Sequence, residues 1–264
     1  NEAALLAVRR SHDRISQQDL EESILRVVAG PERKSHVLSE AEKAIVAYHE
    51  TGHAIVMRLL PGCDVVRKLS TVSRGAALGM TVAAPTEDRS LLRRTELLAK
   101  LAGLMGGRAA EEIVMGDITT GAAQDIKQAT IIAHRMVREF GMSPLGNLLI
   151  DTDSVSPQLA AQVDDEVASL VDDAYRTAKS ILLQRHKELV SIAEHLARVE
   201  TIDGANLDAM LFIDEGTSPE HSDGATATST PTPLARRVDA PSIHDRSILP
   251  PSRSPFDQGK YNPS

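Results

Sequence analysis

The sequence predicts a mainly α fold with a small β element: a core of packed helices joined to a C-terminal helical bundle. Three observations predict it. Long stretches, most clearly 40–60 and 157–185, carry apolar residues at helical spacing. Hydrophobic residues make up 42% of the 264-residue chain and aromatics only 2%, so the interior must be filled with aliphatic side chains, which suits close helix packing. β-Branched residues and glycines gather in one stretch, 65–83, long enough for short strands only.

Residues 1–29 read as two short helices, with Ser16 and Asp19 framing a capping box and Gly30-Pro31 ending the second. Ser39 and Glu42 frame another, opening a helix from 40 to 60 that Pro61-Gly62 stops. Ala44, Ile45, Tyr48, Ile55, Val56 and Leu59 give this helix enough apolar surface to be central and largely buried. Its one glycine, Gly52, costs about 1 kcal/mol of helix propensity relative to alanine, and close approach of another backbone is the expected compensation. In 65–83, Val66, Leu69 and Val72 precede an Arg74-Gly75 turn, and Met80 and Val82 follow it. A helical region spans 88–115, where Gly103, Gly106 and Gly107 indicate either tight packing or a break. Another helix covers 121–140 and stops at Gly141. Ser156 caps the long amphipathic helix 157–185, with Pro157 at its first position. A second helix follows to about Val199, and a short third begins at Asp203. From Asp214 onward eight of the 13 prolines gather among dense Ser and Thr, apolar periodicity ends, and disorder is expected.

The chemistry concentrates in His49-Glu50-Thr51-Gly52-His53, a His-Glu-x-x-His pattern inside the 40–60 helix. Residues four apart share a helix face, so His49 and His53 can present imidazole nitrogens to one metal ion. Glu50 stands beside them as the candidate general base of a zinc peptidase. Such a centre needs a third protein ligand. The residues after His53 lack the Gly and His of the metzincin extension. Two candidates remain from the residues alone. One is Glu111 or Glu112, which more simply make a solvated helical face; the other is Asp125, whose place in a first helical turn also suits an acid without a metal. His134 faces away from Asp125 by helical period and reads as a surface or core histidine, and His186 and His195 read as solvated.

Ala47 to Ala54, followed at a distance by Thr119-Thr120-Gly121-Ala122-Ala123-Gln124-Asp125-Ile126-Lys127, resembles the FtsH family of membrane-anchored, ATP-dependent zinc proteases. Arg74 to Gly79, Gly106 to Glu112, Asp164 to Val167 and Glu200 to Gly204 match in the same order, over about residues 1–213. Two departures stand out: Thr51 where the family commonly has alanine, and Val72-Ser73-Arg74-Gly75 where a proline is usual. The resemblance implies a zinc-protease core in which His49, His53 and Asp125 hold one zinc and Glu50 is the catalytic residue. It implies that 1–30 is the end of an AAA+ ATPase lid, 31–213 the zinc peptidase domain and 214–264 a tail. It further implies unfolded protein substrates, a homo-hexamer, and a place on the cytoplasmic face of the bacterial inner membrane for the full-length protein.

Composition bounds the rest. A net charge of −8 argues against nucleic acid as a primary partner. The single cysteine, Cys63, excludes an intramolecular disulfide and a thiolate zinc site. No apolar run of membrane-spanning length, no signal peptide and no GxxxxGK[ST] phosphate loop occurs. ATP and Mg would then be bound only by an ATPase module absent from this sequence, and a C-terminal fragment is expected. The competing expectation is a non-catalytic helical ring-assembly module of a larger ATPase, which would hold no metal.

Overall fold

The computed structural model describes residues 1–32, 38–75, 77–85, 90–151 and 155–212. The expected disorder of 214–264 lies outside the described residues. The chain opens with α1 (Glu2–Arg9) and α2 (Gln17–Ala29), the latter started by the expected Ser16/Asp19 capping box. The central helix, α3 (Glu40–Leu59), is started by the Ser39/Glu42 box, in which the Ser39 hydroxyl and main-chain N–H both donate to Glu42. Its middle, Val46 to Val56, is buried except for Tyr48.

Strands β1 (Val65–Ser70) and β2 (Met80–Ala84) follow, antiparallel, with Leu69 opposite Thr81 and a bulge between Val66 and Lys68. A third strand, β3 (Thr201–Asp203), joins the other side of β1 to give the order β2-β1-β3. The strand β3 was not expected: three residues carry no readable alternation. It forms because Glu200, left-handed at φ 63°, turns the chain out of the preceding helix. Its carbonyl accepts from Thr71 N–H at 3.0 Å and its carboxylate from Lys43 at 2.8 Å, contacts that hold a conformation unfavourable for a non-glycine residue.

Helix α4 (Arg94–Met115) is continuous, and starts six residues later than expected. Arg93 N–H donates to Glu96 at its start, and Gly116 closes it in the left-handed region. A 3-10 turn at Thr120–Ala122 leads into α5 (Ala123–Arg138). The long helix α6 (Pro157–Gln184), α7 (His186–Val199) and the short α8 (Gly204–Leu211) complete the order.

α3 packs chiefly on α4 and α7, and α6 covers α4 and α5. Their shared interior is aliphatic, with Ile55, Leu101, Met105, Met136, Leu182, Leu189, Ile192 and Leu196 fully buried. The α4 glycines mark packing, not a break. A Cβ on Gly52 would lie 2.4 Å from the Gly106 carbonyl oxygen, and one on Gly106 would lie 2.6 Å from that of Gly52. The two backbones therefore touch, which is the compensation expected for Gly52. This contact sets α3 and α4 closely enough for the next residues to build one site.

Candidate metal centre

His49 and His53 project from one face of α3 toward α4, and Asp125 arrives from the first turn of α5. Their donor atoms converge. His49 Nε2 lies 3.0 Å from His53 Nε2 and 3.2 Å from Asp125 Oδ2, and His53 Nε2 lies 3.4 Å from the same carboxylate oxygen. Ligands at about 2.0–2.1 Å from a tetrahedral zinc stand about 3.3 Å apart. The three spacings match that figure.

The outer nitrogens fix the tautomers. His49 Nδ1 donates to Glu111 Oε1 at 2.7 Å, and His53 Nδ1 to the Gly103 carbonyl at 2.8 Å. With the proton on Nδ1, each Nε2 turns a lone pair into the space it shares with the Asp125 carboxylate. Lone pairs and a carboxylate this close repel one another unless positive charge stands between them, so the donor set fits a divalent cation. Its chemistry, two imidazoles and one carboxylate, is that of a catalytic zinc site with a position left for water.

A proton can take the place of that cation. Burial pulls the His49 imidazole down, but its hydrogen bonds to Asp125 and Glu111 outweigh this and push it up to about 10, Nε2–H then donating to Asp125. Burial works to raise Asp125 and Glu111, yet the histidines hold Asp125, and His49 and Thr119 hold Glu111, below the usual carboxylate range. Glu50 goes the other way: burial raises it more than His53, His49 and Thr81 lower it.

Glu50 is buried beside this cluster, its Oε2 accepting from the Thr81 hydroxyl at 2.7 Å. Gly107 forms the floor. A Cβ there would lie 2.5 Å from His49 Nε2 and 2.6 Å from His53 Nε2, so only a residue without a side chain lets α4 pass under the two donors.

All four residues singled out in the sequence, His49, Glu50, His53 and Asp125, thus meet in one place. Glu111 corrects the expectation of a solvated face: it is 1% exposed. Its Oε1 orients His49 while its Oε2 accepts Thr119 N–H at 2.7 Å, tying His49 to the turn that delivers Asp125. Glu112 is an ion-pair partner of Lys179 at 3.0 Å. His134 stands away from the donors, lining a cavity between α4, α5 and α6. Gly103 and Gly107 went unread as site residues, and Glu111, weighed as a third ligand, holds the ring of His49 instead; their four-residue spacing places all three on one face of α4. Cys63 is half-buried and free, and burial pushes its thiol up to about 11, away from thiolate reactivity.

Two histidines and an aspartate converging on a shared centre, with a buried glutamate next to the first histidine, define a helical metal centre of the His-Glu-x-x-His class. Comparison with known proteins makes the assignment specific. The model of peptidase family M41 matches residues 36–210. The chain is 46% identical over 232 residues to the ATP-dependent zinc metalloprotease FtsH of Pseudothermotoga lettingae, covering 82% of this chain and 37% of that protein. It is 43% identical over 236 residues to the FtsH protein of Rubrobacter xylanophilus, covering 84% and 36%. It is 44% identical over 260 residues to FtsH 1 of Thermomicrobium roseum, covering 92% and 40%. The chain belongs to peptidase family M41. It spans about two fifths of the length of these relatives.

Proposed function

We propose that this chain is a zinc metallopeptidase domain that hydrolyses peptide bonds in unfolded polypeptides. The observation that carries the reading is the convergence of two imidazole lone pairs and a carboxylate at zinc-ligand spacing next to a buried glutamate. His49, His53 and Asp125 would hold the metal. Zinc bound there supplies Lewis acidity, which polarises a peptide carbonyl and makes water a nucleophile near neutral pH. Glu50 accepts a proton from the attacking water and passes it to the departing amine. Its burial keeps bulk water from competing for that proton. β2 lies at the edge of the sheet beside Glu50, so an extended substrate can pair with it through main-chain hydrogen bonds.

For the whole protein the reading extends to an ATPase that unfolds and feeds substrates, in a hexameric ring at the cytoplasmic face of the bacterial inner membrane. The names of the relatives support ATP dependence. The domain scheme 1–30, 31–213 and 214–264 is part of the same proposal. Its first section exposes Leu5, Val8, Leu20, Ile24 and Val27, an apolar surface suited to another domain. No helix among the described residues is long and apolar enough to cross a membrane, so an anchor would lie elsewhere. The alternative, a ring-assembly module without chemistry, leaves the convergent donors unexplained.

Glu50→Gln tests the reading. Its zinc content should equal wild type while cleavage of an unfolded peptide falls by at least about 100-fold. Wild-type cleavage in the variant would remove Glu50 from its role.

A further inference from the structure

We propose that Thr81 is a positioning residue for the reaction, its hydroxyl holding the Glu50 carboxylate in the orientation from which it exchanges protons. The inference rests on the reading of Glu50 as proton carrier given above.

Thr81 sits in β2, opposite Leu69 of β1. Its Oγ1 lies 2.7 Å from Glu50 Oε2 and 3.1 Å from the Glu50 main-chain oxygen. A hydroxyl has one proton to give. The main-chain oxygen belongs to the helical ladder, whereas the carboxylate is the closer, charge-assisted acceptor, so the proton goes to Oε2. A glutamate carboxylate turns easily about its last torsion, whose energy wells are broad. Burial alone does not fix that angle, but a short hydrogen bond from a residue anchored in a sheet does.

The other carboxylate oxygen meets the same strand's approach. A Cβ on Gly79 would lie 2.9 Å from Glu50 Oε1, and also 2.6 Å from Val46 Cγ1 and 2.9 Å from the Ser70 carbonyl oxygen. Gly79 thus leaves the space that Oε1 occupies, and Thr81, two residues on, holds Oε2. The strand that offers its edge to substrate in the proposed function also sets the carboxylate that serves the reaction. Neither Thr81 nor Gly79 supplies a donor to the cluster of His49, His53 and Asp125, so the role is separable from metal binding.

The test compares Thr81→Val, which removes the hydroxyl at nearly constant volume, with Thr81→Ser, which keeps it. Each zinc-loaded chain is assayed on a fluorogenic unfolded peptide, and a crystal structure of Thr81→Val locates the Glu50 carboxylate. Expected for Thr81→Val are a kcat lower by about 10- to 100-fold, a KM within about twofold of wild type, unchanged zinc content, and a carboxylate turned from its wild-type position. Thr81→Ser should recover most of kcat. A Thr81→Val protein with wild-type kcat or an unmoved carboxylate, lost zinc in that variant, or a Thr81→Ser protein as slow as Thr81→Val, each overturns the inference. Glu50→Gln separates the two readings. Full cleavage by it defeats the reading of Glu50 itself, whereas loss of cleavage by it together with full cleavage by Thr81→Val defeats only the positioning role.

Discussion

At His49, three separate parts of the chain act on one ring: α4 supplies Glu111, α5 supplies Asp125, and α3 supplies His53 one turn on. Glu111 uses both oxygens, one for His49 Nδ1 and one for Thr119 N–H. Glutamine offers one acceptor oxygen in place of two, so one of these contacts must fail. Glu111→Gln is therefore expected to weaken zinc about 10- to 100-fold, measured by competition with a chelating dye, and unchanged affinity would contradict the orienting role. Gly107→Ala is expected to exclude zinc outright, because its Cβ would sit 2.5 Å from His49 Nε2. The histidines and Glu50 were legible in the sequence because they lie within five residues on one helix. Asp125 was a candidate from the residues but was chosen over Glu111 and Glu112 only through resemblance, since a first-turn aspartate has its own electrostatic reason to be there. Glu111 was misread because its two partners, His49 and Thr119, come from another helix and from a loop, and helix periodicity carries no information about either.

Among the elements, the contact between Gly52 of α3 and Gly106 of α4 decides whether the site can assemble. Gly106→Ala places a methyl group 2.6 Å from the Gly52 carbonyl oxygen and is expected to destabilise the chain by about 1–3 kcal/mol in urea unfolding. Both α2 and α3 begin at the capping boxes expected from sequence, because such caps are local chemistry within four residues. β3 escaped notice because it depends on a left-handed Glu200 and on pairing with a strand more than 130 residues earlier. The α1–α2 hairpin has its own electrostatic lock. Asp19 is buried, and His12, then the Ser16 hydroxyl and N–H, then Arg10 hold its carboxyl well below the usual range. A carboxyl lowered in the folded state contributes stability above its unfolded pKa of about 3.9, and loses it as pH falls toward the folded value. The urea midpoint of Asp19→Asn should therefore fall below wild type near neutral pH, and the gap should narrow as pH drops below about 4. A gap independent of pH would contradict this.

For the molecule as a whole, the donor cluster joins α3 to α5, two elements that otherwise meet mainly through α4 and α6. A ligand that binds the folded state stabilises it by mass action, about 2.7 kcal/mol at 100 times its dissociation constant. Chelation of zinc should accordingly lower Tm by several degrees, and added zinc should restore it. The mainly α class was legible because aliphatic composition and helical period act along the whole chain. How α3, α4 and α5 are oriented was not, because that rests on which glycines touch. The central claim, that His49, His53 and Asp125 together hold a catalytic zinc, is tested most directly by elemental analysis of wild type and Asp125→Asn at equal free zinc. About one zinc per chain in wild type and close to none in the variant, with helical circular dichroism unchanged, is the expected result. Full zinc in Asp125→Asn, or none in wild type, would contradict it.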